Sequence, residues 1–402
     1  MRGKEGPDDL AEQFRRFAVG AGRDGAARYA RICDGVASDE ALLELVAGAP
    51  PDQRRPNILL AAVHFLLLSG VDDPLAACYP TVLTWRDQDP ATARQTGAAD
   101  LFPLFAAFCA RHRPAVAQLV ATRATQTNEV GRCTAIFPAL SAVASRVQKP
   151  IAVVDLGAAA GLNLLFDRYA YDYGNGLVGD AASPLVLRCG VRDGGPHDPR
   201  PPAASTPASS GPSTSAPRTS LPTAMPTAMP AVAARIGIDR RPVDVRDDDQ
   251  ALWLLACQWP DHLDRFETAS RALALARSVP DPPIVQRGDV VGDLASVVAS
   301  LPADAHACLL HSWVAAYLTP REQRALADAV SRVASTRPVS WIFAEAPYEV
   351  PGLPMPPPPG EKVRGATAVV LVDQAPGLEP AARRLADMHP HGRWLHWYGT
   401  GG

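Results

Sequence analysis

Ile151-Ala152-Val153-Val154-Asp155-Leu156-Gly157-Ala158-Ala159-Ala160-Gly161-Leu162-Asn163 is the stretch on which the fold turns. A short apolar run that ends in an acid reads as a parallel strand buried on both faces. A Gly/Ala-rich turn follows. Gly157 permits the tight turn, small Ala159 lets a ligand approach the backbone, and Gly161 allows close packing of a helix on the strand. A helix is expected from near Leu162. Its N-terminus, with Asn163 in the first turn, would offer free N–H groups and a positive dipole end to a polar ligand. The same small residues can also join strand to helix with no ligand. The spacing is not that of the dinucleotide loop G-x-G-x-x-G.

Upstream of this run the pattern is helical, so residues 1–149 read as an N-terminal helical domain. Leu10, Phe14 and Phe17 recur at helical spacing. Ser38, two acids and then Leu42, Leu43, Leu45 and Val46 look like a capped helix start. Pro56 opens a helix that is apolar on nearly every face and belongs inside a bundle. Further helices are expected at 101–112, 114–122 and 128–147.

Downstream, residues 150–402 alternate strands and helices, which means an α/β domain with a mostly parallel sheet. Strands are expected at Ile236–Asp239, 284–289, 307–311, 339–343, 367–372 and 393–398, with helices at 249–277 and 320–335. Tyr169, Tyr171 and Tyr173, followed by Leu185–Leu187, suggest a hairpin insertion. Residues 196–230, rich in Pro, Ser, Thr and Ala, lack the apolar pattern needed to pack and are expected to be a disordered loop.

Bulk properties narrow the partners. The 402 residues carry a formal net charge of -3, so no basic field draws in a phosphate backbone, and nucleic acid is not the expected partner. The longest apolar run, Ile58 to Leu68, is too short to span a bilayer. The first residues, Met1 to Asp9, lack the apolar core of a signal peptide. Seven scattered cysteines without a C-x-x-C pair suit a reducing cytoplasm rather than a disulfide framework, and no metal-ligand spacing is evident beyond the weak pair His389 and His391.

Ligands of open α/β sheets sit outside the carboxyl ends of the strands. That rule selects Asp155, then Asp239 at the end of the second strand, with Asp244 as fallback, as the acid for ribose hydroxyls. Asp289 after the third strand would face an adenine amine. Asp239 could equally be a surface acid, and Asp289 the cap of the next helix. His311 and Trp313, after the fourth strand, are candidates for a general base and a stacking wall. The alternative for His311 is a hydrogen-bonded interior histidine. Thr127 and Asn128, in the polar run Thr125–Glu129, either cap the following helix or line the mouth of the site.

The runs Arg54–His64, Thr125–Val130, Leu156–Leu164 with Phe166–Tyr169, and Trp259-Pro260 resemble the bacterial family called domain of unknown function 2332. The resemblance spans nearly the whole chain apart from the low-complexity segment. A wider similarity, to class I S-adenosylmethionine-dependent methyltransferases, rests on the glycine loop and the strand order. It implies a Rossmann-like sheet and S-adenosylmethionine as cofactor, held by Asp155, Gly157, Ala159, Gly161, Asn163, Asp239 and Asp289. Asp155 would orient the aminoacyl end. The acceptor would be a small molecule or another non-nucleic-acid group. The alternative is a non-catalytic module that binds an adenosine ligand or a partner.

Overall fold

The computed structural model describes residues 7–89, 91–92, 101–192, 225–360 and 363–399. The chain divides into two compact units, one made of residues 1–127 and 244–270, the other of 128–243 and 271–402. A cut at 149 therefore differs from the observed division twice. The helix Cys133–Val147 packs on the strands of the second unit, and residues 244–270 return to the first, where the helix Asp248–Ala256 lies against Pro56–Leu68.

In the helical unit, Pro56–Leu68 is the central element. Its first residue is a proline, and all but two of its residues are buried. His64, at its middle, is fully bonded. Nδ1 lies 3.0 and 3.1 Å from the carbonyls of Ala256 and Gln258, and Nε2 lies 2.8 Å from Thr81 Oγ1. Carbonyls only accept, so the proton sits on Nδ1 and Nε2 accepts from the hydroxyl. Burial pushes the pKa of this ring down to about 4. The helix Glu40–Ala47 is capped by Asp39, whose side chain accepts from Leu42 N, and not by Ser38. The long helix expected at 249–277 is two, Asp248–Ala256 and Leu263–Ser278, interrupted around Pro260, which has no N–H to continue the ladder.

The second unit contains twelve described strands: β1 (Ile151–Leu156), β2 (Ala170–Asp172), β3 (Leu177–Gly179), β4 (Val186–Arg188), β5 (Gly190–Val191), β6 (Val232–Asp239), β7 (Ile284–Arg287), β8 (His306–Ser312), β9 (Val339–Glu345), β10 (Thr367–Gln374), β11 (Ala381–Met388) and β12 (Trp394–Trp397). Nine form one sheet in the order β5-β12-β11-β10-β9-β8-β1-β6-β7. From β7 to β9 every neighbour is parallel. β10, β11 and β12 then run antiparallel to their predecessors. The molecule is thus α/β with a large, mostly parallel sheet. The expected hairpin is a separate small sheet, β3-β2-β4, in which β2 and β3 are antiparallel.

One face of the large sheet presents Val154, Leu156, Leu309, Trp341, Phe343 and Val370 to the helices Leu294–Ala299 and Pro320–Ala334. The second of these helices begins with a complete capping box between Thr319 and Glu322. The opposite face carries Cys133–Val147. Most of the expected low-complexity loop, 196–224, lies outside the described residues. Its described end, 225–230, has no regular structure but is held. Met225 is buried, and Ser141 Oγ donates to Ala228 O at 2.7 Å.

Candidate functional site

The chain leaves β1 one way, to β6 and β7, and later crosses to β8 and β9 on the other side of β1. At such a switch point the loops beyond the strand ends diverge and leave a crevice. The residues there are those of the decisive stretch.

The turn after β1 is built from left-handed residues, Gly157 at φ +83°, Ala159 at +51° and Gly161 at +72°. A Cβ on Gly157 would lie 2.5 Å from Val314 Cγ2, and one on Gly161 would lie 2.8 Å from Val285 Cγ2. Both glycines are therefore required by neighbouring side chains as well as by backbone conformation. Ala159 adopts its conformation despite a Cβ. Its N–H donates to Asp239 Oδ2 at 2.8 Å, and its carbonyl accepts from Val243 N at 3.0 Å.

The expected helix at Leu162 is instead a 3-10 run, Leu162–Arg168, ended at once by β2. Nor are the turn's amides free. Gly157 N and Ala158 N reach Ile238 O, Ala159 N reaches Asp239, and Gly161 N reaches Ala158 O. Ala160 N and Leu162 N both donate to Asn128 Oδ1, at 3.2 and 3.1 Å. Six consecutive amides thus have partners within the protein. A ligand here must be recognised by side chains, not by a backbone cradle.

Asp155 is the conspicuous side chain. It is 3% exposed, and its Oδ2 has no hydrogen-bond partner. Burial, and then the charge of Asp239, push its pKa up to about 7. Asp239 ends β6 and accepts from Ala159 N and from Arg241 N, so it stitches the turn to the second strand. Asp244 lies in the helical unit, where its Oδ1 accepts from Arg246 N. Asp289 is occupied on both oxygens, by Val291 N and Gly292 N on one and by Arg240 on the other, and that ion pair holds its pKa low. Asn163 is buried, with Oδ1 3.5 Å from the Cys133 thiol.

Asn128 is buried and ties the turn, whereas Thr127 is exposed and belongs to the other compact unit. Neither caps the helix expected from 128, because Cys133–Val147 starts later, after a 3-10 turn capped by Glu129. Glu129 and Arg132 fix a second wall. Glu129 Oε2 pairs with His391 Nδ1 at 2.9 Å. Arg132 donates to Pro390 O and to Ser312, and its guanidinium lies 5.5 Å from the centre of the Trp313 ring. Trp313 has φ +55° and donates from Nε1 to Thr367 Oγ1.

His311 is completely buried, stacked on Phe343, with Nδ1 2.8 Å from Glu345 Oε1. Glu345 at the end of β9 was not anticipated. Its signal was a lone acid directly after the apolar run of a buried strand. Among the described residues no group of three or more His, Cys, Asp or Glu side chains could hold a metal, all seven cysteines are free, and no helix is long and apolar enough to cross a membrane.

A family model described as an uncharacterized protein conserved in bacteria (DUF2332) matches residues 11–397. No curated protein and no solved structure matches the chain.

Proposed function

The chain belongs to the bacterial DUF2332 family, and from its strand-edge carboxylates we propose that it is an S-adenosylmethionine-dependent methyltransferase acting on a small molecule or another non-nucleic-acid acceptor. The observation that carries this reading is Asp155, a buried carboxylate with an unpartnered oxygen at the switch point of the sheet. A buried acid without a cation sits near neutrality. An ammonium brought to it restores the charged form, releases a proton and gains a charge-assisted hydrogen bond.

The order of the parallel strands supports a Rossmann-like, methyltransferase-type sheet, since ligands of doubly wound sheets lie outside this strand edge. The electrostatics select among such ligands. Asp155, Asp239 and Asp289 all end or follow strands at this edge, and the turn amides that would receive a phosphate are engaged. A cationic adenosyl ligand suits that environment, and a pyrophosphate does not. When bound, S-adenosylmethionine supplies a methyl group already activated by its sulfonium. The protein's part is then to orient the aminoacyl end at Asp155, to hold the ribose at Asp239 and to keep water out. The overall net charge of -3 argues against a nucleic-acid acceptor, and the seven free thiols suit a reducing cytoplasm.

A thermal-shift panel of S-adenosylmethionine, S-adenosylhomocysteine and NAD tests the reading. At about 100 times its dissociation constant an adenosylated ligand adds about 2.7 kcal/mol. A shift with NAD alone, or with none of the three, defeats the proposal. The complete burial of His311 favours a second reading, a non-catalytic adenosine-binding module. Binding without any methyl transfer to an acceptor library would select it.

A further inference from the structure

Glu345 closes β9 with no exposed surface. Its Oε1 accepts three hydrogen bonds, from His311 Nδ1 at 2.8 Å, Val314 N at 2.8 Å and Ala315 N at 3.0 Å. Two of those donors are backbone amides, which can only donate. An oxygen that already receives two amide hydrogens is not the one to carry a carboxyl proton. The third partner must therefore donate as well, so the imidazole proton lies on Nδ1. A neutral ring then has its lone pair on Nε2. That nitrogen is buried and has no hydrogen-bond partner, and the same holds for Glu345 Oε2.

The same oxygen has a second task. Val314 packs against Gly157, since a Cβ on that glycine would lie 2.5 Å from Val314 Cγ2. The turn that covers the β1 loop and the imidazole beside it thus share one acceptor. Trp313, which leads into the turn, adopts φ +55°, so the carboxylate holds a backbone that a tryptophan does not choose freely.

We infer that Glu345 is a positioning residue of this site: it holds His311 in the Nδ1–H tautomer with Nε2 free to take a proton, and it fastens the 313–315 turn over Gly157. Only the use of Nε2 toward a bound acceptor rests on the methyl-transfer reading. The tautomer and the fastening stand on geometry alone.

Two-bond proton–nitrogen correlation spectra of the full chain labelled with 15N-histidine test this. Wild type should show a protonated Nδ1 and an unprotonated Nε2 for His311, a result that needs no variant to fold. In Glu345→Ala, which removes the shared acceptor, the single tautomer should give way to a mixture, and the amides of Val314 and Ala315 should exchange with deuterium about tenfold faster or more. Added S-adenosylhomocysteine should move the wild-type Nε2 resonance, because Val314 lies against Gly157 and its amide shares Glu345 Oε1 with the ring. A protonated Nε2 in wild type overturns the inference. So does a Glu345→Ala spectrum and exchange pattern like wild type. If the ligand leaves the melting temperature unchanged, the methyl-transfer reading fails. The tautomer and exchange results then still decide what Glu345 does.

Discussion

Replacing Asp155 with asparagine should make the protein more stable at neutral pH, and the gain should depend on pH in a defined way. The folded carboxyl titrates at about 7, against 3.8 for the ordinary group. A raised acid pKa means that the folded state holds the proton more tightly than the unfolded chain does. The stability it confers is complete below the unfolded value and is lost as pH rises toward 7. Three units at 1.36 kcal/mol each give about 4 kcal/mol between pH 4 and 7, an upper figure for a single group. His64 has the opposite sign. Its pKa is pushed down to about 4, so its contribution is present above the usual 6.5 and is lost as pH falls toward 4. Across pH 4 to 6.5 the two slopes oppose, and the wild-type profile alone would conceal both. Urea unfolding of wild type and Asp155→Asn every half pH unit, with one profile subtracted from the other, isolates the carboxylate. The difference should climb by up to about 4 kcal/mol and level off above pH 7. A difference that stays flat from pH 4 to 8 would show that Asp155 titrates as an exposed acid does, and the electrostatic account of this edge would be wrong.

Other perturbations probe the same turn. Asn128→Ala leaves the amides of Ala160 and Leu162 buried without an acceptor, so it should destabilise the fold by about 2–4 kcal/mol in chemical unfolding, while Asn128→Asp should recover much of the loss. An unchanged midpoint for the alanine variant would mean that the turn holds its shape without this side chain. Gly157→Ala must adopt φ +83° and meet Val314, for a combined loss of about 2–5 kcal/mol. Adding Val314→Ala should return the steric part only, and strictly additive losses in the double variant would show that the two residues do not touch. Calorimetric titration should find S-adenosylhomocysteine affinity rising with pH, by up to about tenfold per unit below 7, as the ammonium takes the place of the Asp155 proton. A pH-independent affinity for a ligand that does bind would place its ammonium elsewhere.

What the sequence disclosed depended on how much of an element is buried. The parallel strands β1, β8 and β9 are covered on both faces, so their apolar runs were plain in the residue order, and Asp155 on the first and His311 on the second could be named. β11 could not be read in the same way. Ala-Ala-Arg-Arg-Leu-Ala-Asp-Met, Ala381–Met388, has the composition of a helix and is a strand because β10 and β12 pair with it on either side. The glycine turn was legible as a turn but not in its wiring. Nothing local says that Asn128, Asp239 and Ile238 will take up its amides, because those partners arrive from other parts of the chain. Glu345 was hidden for the same reason. A single acid after an apolar run acquires meaning only when β8 and β9 lie side by side and bring His311 to it.

The position of β1 also sets a problem of timing. Its two neighbours in the sheet, β6 and β8, both come much later in the chain, and no adjacent segment pairs with it. At translation rates of about 5–20 residues per second, the newly made strand waits roughly 8–30 s for β8 to emerge from the ribosome. Until then a segment that is apolar on both faces presents two open edges, the geometry that invites pairing with another chain. Loop closure adds only about 0.6 kcal/mol per doubling of length, so the delay weighs on the kinetics of folding far more than on the final stability. A protein wired in this way should lean on chaperones while it is being made, and refolding from denaturant at high concentration should lose material to aggregation before the central strand finds its partners.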